Sequence, residues 1–502
     1  MKRVFYVTTP IYYPNDIPHI GHAYTTILAD VLARWHRLVG DDVFFLTGTD
    51  EHGLKLQRTA EKKGLKPKEF VDKMAEIYKE YWAKLNISYN RFIRTTDPDH
   101  EETVKKALQK LYDKGYVYKG VYKGWYCVSC EKYYSEKEYE VIEGKPHCPI
   151  HKKPLEYVEE EGYFLKLSQF EDYMLKLLEK EDIIYPQQYA REVYSRLKKE
   201  GLQDVSISRP RSRVYWGIEL PFDSSHTVYV WIDALLNYVS GIGYLRDDEK
   251  FEKYWSNVHH IIGKDILWFH TVIWFSVLKM LDIEPPKKLL VHAYITRKGL
   301  KMGKSVGNVI QIEEVLDRYY GESDVLRYLL MRNLNYGRDV EVTWELLDSI
   351  YNSELLGNYG NLVRRIGVIA LRKANGIIER SEEDEKLAEK IKEEVEEVKK
   401  YYDNYEVSSA ILKISETLHF VNAYMNETKP WALENPVPVL YNLLEALRIN
   451  TLLLSPVIPI TAEKVSKALG FTIDKGLEQF KYGYVEKYHV VDAPILFKKL
   501  KR

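Results

Sequence analysis

A chain of 502 residues is too long for one compact core and is read as several domains. Its 45% apolar content allows sizeable cores, while a formal net charge of −1 excludes wholesale attraction to nucleic acid and leaves any RNA contact to a local basic face. The N-terminus reaches Pro10 too early for a secretory signal, and no apolar stretch approaches the ~20 residues of a bilayer span, so a soluble, cytoplasmic protein is expected.

The apolar, β-branched opening over residues 4–8 predicts a strand, and residues 23–38 predict a helix. Between them stands H-I-G-H at 19–22. A strand feeding a helix N-terminus is a ready anion site, because unpaired N–H groups and the helix dipole favour phosphate. His19 and His22 add imidazole donors there. A second apolar strand over residues 43–46 ends in T-G-T-D-E-H-G at 47–53. Polar residues at the carboxyl end of a parallel strand lie where α/β sheets bind ligands. A Lys- and Glu-rich helix follows over 67–85, with Tyr78 and Trp82 on its apolar side.

From about residue 118 the texture changes to short aromatic segments and charged turns, which reads as an inserted domain. All three cysteines of the chain fall here, Cys127 and Cys130 in C-x-x-C, and Cys148 with His151 in C-x-x-H. Three thiolates and one imidazole complete the tetrahedral shell that structural zinc prefers. Free buried thiols or a disulfide are the bland alternatives, and both are disfavoured by the odd number and the matched spacings. Four protein ligands leave no open position, so one structural zinc ion is expected.

The second half-domain is expected to start with V-Y-V-W-I-D-A at 228–234, read as another strand with polar groups at its end. Then come H-H-I-I-G-K-D at 259–265 and a helix carrying His270 and Trp274. Two β-α halves around an insertion fit a doubly wound parallel sheet of the α/β class, with the site at the switch point between the halves. K-M-G-K-S at 301–305 sets Lys301 and Lys304 in a flexible-looking stretch. Paired ammonium groups on such a loop suit a departing pyrophosphate. From about residue 350 the helical period recurs in Leu355, Tyr359, Leu362 and Ile366, and again in Leu387, Ile391, Val395 and Val398, which predicts a helix bundle. The Glu and Lys run over 382–400 reads as its solvated face.

These residues together resemble the class I aminoacyl-tRNA synthetases, and within them the methionyl-tRNA synthetase family. The likeness covers nearly the whole chain. It includes V-T-T-P-I-Y-Y-P-N at 7–15, F-L-T-G-T-D-E-H-G at 45–53, G-W-Y-C-V-S-C-E at 124–131, S-I-S-R-P-R-S-R-V at 206–214 and Y-V-W-I-D-A-L-L-N-Y at 229–238. I-G-K-D-I-L-W-F-H at 262–270, L-G-N-Y-G-N-L-V-R-R at 356–365 and K-P-W at 429–431 extend it into the bundle. The implied organisation is a Rossmann-like catalytic domain in two halves (1–117 and 228–290), an inserted connective domain with a zinc knuckle (118–227), a KMSKS-loop and stem-contact region (291–349), and a helix-bundle anticodon-binding domain (350–502).

The resemblance implies a methionine–tRNA ligase that serves both initiation and elongation. The methionine carboxylate attacks the α-phosphate of ATP, and the methionyl group then passes to the terminal ribose of initiator or elongator tRNA(Met). His19, His22, Lys301 and Lys304 would act on the phosphates, and Gly263 and Asp265 would lie near the adenosine ribose. Mg²⁺ would arrive with ATP. The methionine pocket would be Ile11, Tyr13, Asp50, Trp231, Ala234, Leu235, Tyr238, Ile266, His270 and Trp274, aromatic and aliphatic walls that suit a polarizable thioether. Asp50 would bind the substrate ammonium. Asn361, Arg365 and Trp431 would contact the anticodon, whose bases are read by splaying and stacking. Two positions depart from the family's pattern. Gly303 replaces the serine of K-M-S-K-S, and Leu235 stands where proline is frequent.

The isoleucine, valine and leucine enzymes carry an editing insertion for which residues 118–227 have little room. The cysteine enzyme places its zinc ligands differently. A zinc-knuckle RNA-binding protein without catalysis is opposed by the intact histidines and lysines. The tail over 471–502 leaves no room for an appended β-barrel, so a monomer is expected, with a tRNA-binding OB-fold subunit in trans.

Overall fold

The computed structural model describes residues 3–130, 132–134, 138–180, 182–297, 299–302 and 307–501, with the backbone alone for Lys132 and Lys301. Its centre is a parallel sheet of six strands: β1 (Val4–Tyr12), β2 (Asp42–Thr49), β3 (Arg91–Arg94), β4 (Ile184–Tyr185), β5 (Val258–Gly263) and β6 (Lys288–His292). Their spatial order is β3-β2-β1-β5-β6-β4, and every neighbouring pair runs parallel. Phe5, Tyr6 and Val7 are all fully buried, as a parallel strand covered on both faces requires. Chain order reverses between β1 and β5, and that crevice is where such sheets bind ligands. In β1 the pairing register shifts between Thr8 and Ile11, where Pro10 has no N–H to give to the ladder.

Helix α1 (Ile20–Leu38) follows β1. The predicted start at residue 23 is three residues late, because the histidine motif itself forms the first turn. The apolar core on one face of the sheet is continuous from α1 into the C-terminal helices, and a second core fills the other face. Helix α2 (Pro98–Asp113) packs in that second core, through Val104, Ala107, Leu108 and Leu111.

The segment read as an insert leaves the sheet as a long antiparallel hairpin, Val117–Cys127 against Glu156–Leu165, with the cysteine motifs at its far end. It does not stay apart from the main fold. Ile184 and Tyr185 return as the edge strand β4, and Met174, Leu178, Ala190, Val193 and Leu197 join the second core.

One expectation is overturned at the start of the second half. Residues 230–235 are not a strand but the helix α3 (Val230–Leu235), and the strand before it, Asp223–Val228, belongs to a small antiparallel sheet. A short apolar run does not distinguish the two by periodicity. Helical spacing puts Trp231 and Ala234 on one face and turns Asp233 away from them, whereas a strand would have put Trp231 and Asp233 on the same side.

The C-terminal part is helical: α4 (Ser323–Arg332), α5 (Asn361–Ala374), α6 (Glu385–Asp403), α7 (Val407–Thr428), α8 (Val437–Leu454) and α9 (Pro459–Leu469). Helix α8 qualifies by length and apolarity as a membrane span, contrary to the sequence reading; 83% of it is buried as the bundle's central helix. Contacts along α1 fasten the bundle to it. Trp35 stacks on Tyr402 with centroids 4.4 Å apart. Arg327 of α4, fully buried, donates to the carbonyls of Pro456 and Val457 and to Asp30 of α1.

Candidate active site and metal centre

His19 is the N-cap of α1 and His22 completes its first turn. The Gly21 N–H donates to His19 Nδ1 at 3.0 Å, and the His19 N–H donates to His22 Nδ1 at 3.1 Å. Each Nδ1 therefore accepts, and the ring proton of each histidine sits on Nε2. The half-buried rings lie 4.0 Å apart at the helix N-terminus. A side chain at position 21 would come within 2.8 Å of His19 Cε1, so glycine is what lets that ring fold back over the turn. Two N–H donors beside a positive helix end form an anion cradle.

Across the crevice, β5 ends at Gly263 and the Asp265 carboxylate folds over it, 2.7 Å from where a Cβ would stand. Asp265 itself is exposed. His292, at the end of β6, takes the Thr25 hydroxyl of α1 at 2.8 Å. The following hairpin pairs Thr296 with Lys301, with Met302 buried beneath it. Gly303, Lys304 and Ser305 lie outside the described residues, as does the side chain of Lys301.

Beside the histidines, the residues read as a methionine pocket come together from distant segments. Ile11 and Tyr13 flank Tyr12, whose carbonyl accepts from the Asp50 N–H at 2.8 Å. The Tyr6 hydroxyl donates to the Tyr238 carbonyl. Tyr238 Oη lies 2.7 Å from His270 Nε2, and His270 Nδ1 lies 3.1 Å from the Ile266 carbonyl. The carbonyl can only accept, so Nδ1 carries the proton and Tyr238 donates to Nε2. Burial pushes the His270 pKa down to about 4, so the ring is neutral at physiological pH. Trp274 is fully buried behind Tyr238, with its indole N–H on His260 Nε2. Ala234 and Leu235 are buried on α3, and Trp231 stacks on Phe269 at 3.9 Å and 11°.

Several contributors to this region escape sequence reasoning. Glu51, fully buried, receives Arg94 through two nitrogens and the Thr49 and Thr96 hydroxyls. Asp233 accepts from both His52 and His100. Phe269 supplies the stacking partner of Trp231. The signal that could have pointed to them is motif membership: Glu51 and His52 in T-G-T-D-E-H-G, Asp233 in Y-V-W-I-D-A-L-L-N-Y and Phe269 in I-G-K-D-I-L-W-F-H.

At the hairpin's end the four predicted metal ligands converge, with one ligand atom from each of Cys127, Cys130, Cys148 and His151 within 4.8 Å of one another. Cys130 Sγ lies 3.4 Å from Cys148 Sγ and 3.2 Å from His151 Nδ1. Tetrahedral zinc with ~2.3 Å Zn–S bonds would separate two sulfurs by roughly 3.8 Å, so the set fits with little adjustment. Backbone N–H groups of Cys130 and His151 point at Cys127 and Cys148 sulfurs. The buried Tyr134 hydroxyl lies 3.1 Å from Cys130 Sγ and 3.6 Å from Cys148 Sγ, a contact the spacing gave no sign of.

On the bundle, Asn361 opens α5 and is exposed, and Arg365 stands one turn on. The Arg365 guanidinium sits 5.5 Å over the Trp431 ring and donates to Asn426 Oδ1 at 2.8 Å. Trp431 is 41% exposed, more than a packing residue would be.

Residues 5–151 and 138–367 match the family described as class I tRNA synthetases of the methionine type, and residues 384–495 match the anticodon-binding domain of tRNA ligases. The methionine–tRNA ligase of Caldanaerobacter subterraneus subsp. tengcongensis is 43% identical over 515 aligned residues, covering 100% of this chain and 79% of that protein. That of Thermotoga maritima is 42% identical, over 99% and 80%. Among solved structures, Mycobacterium tuberculosis methionyl-tRNA synthetase bound by methionyl-adenylate is 33% identical with a TM-score of 0.91, over 99% of this chain and 100% of that one. Its free-state form gives a TM-score of 0.82 at 32% identity, over 94% and 93%.

Proposed function

The chain belongs to the methionyl-tRNA synthetase family of class I tRNA synthetases, and from that premise we propose how its residues carry out the reaction. The overall reaction joins methionine to tRNA at the expense of ATP, giving AMP and pyrophosphate.

ATP lies across the β1/β5 crevice with its phosphates at the N-terminus of α1. The Nε2–H groups of His19 and His22 donate to phosphate oxygens as charge builds on them. Gly263 leaves room for the adenosine ribose, and Asp265 binds its hydroxyls. The methionine carboxylate attacks the α-phosphorus in line, the bond to the β-phosphate oxygen breaks, and pyrophosphate leaves. Positioning and charge stabilisation suffice for such a displacement. By family likeness Lys301 and Lys304 neutralise the leaving pyrophosphate, and Mg²⁺ enters with ATP. The terminal ribose hydroxyl of tRNA then attacks the carbonyl of the adenylate and AMP departs.

Asp50 receives the methionine ammonium. Tyr13, Trp231 and Trp274 supply rings, and Ile11, Ala234, Leu235 and Ile266 supply aliphatic wall. Tyr238 and His270 lie against the sulfur. Because His270 is neutral and its Nε2 is already occupied by Tyr238, its ring presents no charge to the thioether. Asn361, Arg365 and Trp431 read the anticodon, with bases stacking on the indole that Arg365 already covers.

The Cys127, Cys130 and Cys148 thiolates and His151 would hold one zinc ion, which when bound would cross-link the end of the hairpin and supply fold rather than chemistry. Three unbridged cysteines suit the reducing cytoplasm. The proposal extends to an OB-fold tRNA-binding subunit in trans, since a chain with net charge −1 attracts RNA weakly at long range.

The observation that carries the reading is the pair of tautomer-fixed histidines at the switch point beside a cluster of aromatic side chains. The test is charging of a tRNA(Met) transcript with radiolabelled methionine. His22→Ala should lower kcat for charging by at least about 100-fold, as loss of a transition-state donor does. Unchanged kcat would remove the histidines from the mechanism.

A further inference from the structure

Asp233 lies between Trp231 and Ala234 on α3, yet its carboxylate is taken up by two histidines. It is almost fully buried, and each oxygen takes one imidazole: His52 Nδ1 at 2.6 Å on Oδ2 and His100 Nε2 at 2.6 Å on Oδ1. A carboxylate only accepts, so both histidines donate. The three side chains come from three separate segments, the loop after β2, helix α2 and helix α3. His52 Nε2 faces Glu101 at 3.8 Å, the Trp216 ring covers His52 at 5.3 Å, and His100 Nδ1 meets the Ser240 hydroxyl at 2.7 Å. No described contact leads from this triad into the crevice, so its effect passes through the backbone it holds. His52 is two residues past Asp50, and its carbonyl receives the Tyr13 hydroxyl at 3.0 Å. The preceding carbonyl, of Glu51, receives the Trp216 indole N–H at 2.6 Å.

We propose that Asp233 is a positioning residue for methionine binding: as the shared acceptor of His52 and His100, it ties the wall that carries Asp50 and Tyr13 to the wall that carries Trp231, Ala234 and Leu235. The proposal rests on the methionine-pocket reading above. Buried charge-assisted bonds at this distance are short, strong and directional, which suits a fixed spacing between two pocket walls. The electrostatics agree, since Asp233 holds the His52 pKa above its usual value despite burial, while the two histidines hold the Asp233 carboxyl below its own. Truncating Asp233 leaves two buried imidazole N–H groups without an acceptor and frees the walls to drift apart.

The test is methionine-dependent ATP–pyrophosphate exchange on the full chain. Asp233→Ala should raise the methionine KM about tenfold or more while the ATP KM stays within about twofold. Asp233→Asn, which keeps one acceptor oxygen and the side-chain shape, should fall between Ala and the unaltered protein. His100→Gln should act in the same direction as Asp233→Ala and less strongly. If Asp233→Ala does not fold, Asp233→Asn and His100→Gln decide by the same criterion. A methionine KM that stays constant while thermal stability falls overturns the proposal. So does a common change in both KM values and kcat, which is what a merely structural residue gives. If the unaltered protein shows no exchange with methionine, the pocket reading itself has failed and the proposal falls with it, a result distinct from either of those.

Discussion

Asp30 offers a quantitative test of the contact between the histidine helix and the bundle. The residue is fully buried on α1, where it accepts Arg327 and Arg34 through Oδ2 at 2.7 Å each and Ser88 N–H and O–H through Oδ1. Burial alone would raise its pKa, but the two guanidiniums and the Ser88 bonds bring it down to about 2 from 3.8. A depression of nearly two units corresponds to about 2.4 kcal/mol of folding free energy. The sign follows from the lowered folded-state value: the contribution is complete above the unfolded pKa near 3.8 and is lost as pH falls through the folded value near 2. Asp30→Asn keeps the shape and removes the charge. At pH 7.5 its melting temperature, followed by circular dichroism, should be lower by about 5 °C, at roughly 2 °C per kcal/mol for a large unit. The gap should hold from pH 8 to about pH 5 and narrow below about pH 4. An unchanged melting temperature at pH 7.5 would refute the reasoning, as would a gap that persists undiminished at the lowest pH where the protein stays folded.

Other consequences follow from the same geometry. Tyr134→Phe removes the hydroxyl next to Cys130 and Cys148 sulfurs and should weaken zinc retention by about tenfold in a chelator competition, within the range of outer-sphere substitutions; equal retention would make that contact incidental. Arg365→Gln and Trp431→Ala should each lower kcat/KM for tRNA charging by about tenfold or more while pyrophosphate exchange without tRNA stays unchanged. Loss of both activities together would place these residues elsewhere in the mechanism. Glu394 is fully buried in α6 and its pKa is raised well above the usual value by that burial, so its favourable contribution is present below about pH 4.5 and lost as pH rises. Glu394→Gln should therefore melt higher than the unaltered protein at pH 8 and equally at pH 4.5, and the reverse order would contradict the burial argument.

Much of the candidate site was legible because its chemistry is local. H-I-G-H is four consecutive residues whose capping bonds close within one turn, and the zinc set is two short spacings at the end of one hairpin. The Rossmann-like halves could be read from apolar strands that end in polar motifs. What escaped is what sequence distance hides. The triad joins residues 181 and 133 positions apart, and nothing in either segment signals the other. Residues 228–234 read as a strand because a short run of apolar residues fits both periods. Helix α8 passes for a span by length and composition although Glu445, Arg448 and Asn450 interrupt its apolar run, and these three are hydrogen-bonded inside the bundle. Ile184 and Tyr185 form a sheet edge too short for any pattern to announce.

The central claim is that the crevice between β1 and β5 activates methionine in particular. ATP–pyrophosphate exchange measured with each of methionine, leucine, isoleucine, valine and cysteine tests it most directly. The account predicts exchange with methionine, with kcat/KM at least about 100-fold above any of the others, since an aromatic pocket fitted to an unbranched thioether excludes branched and shorter chains. Exchange supported equally by leucine or isoleucine, or by none of the five with folded and zinc-loaded protein, would contradict it.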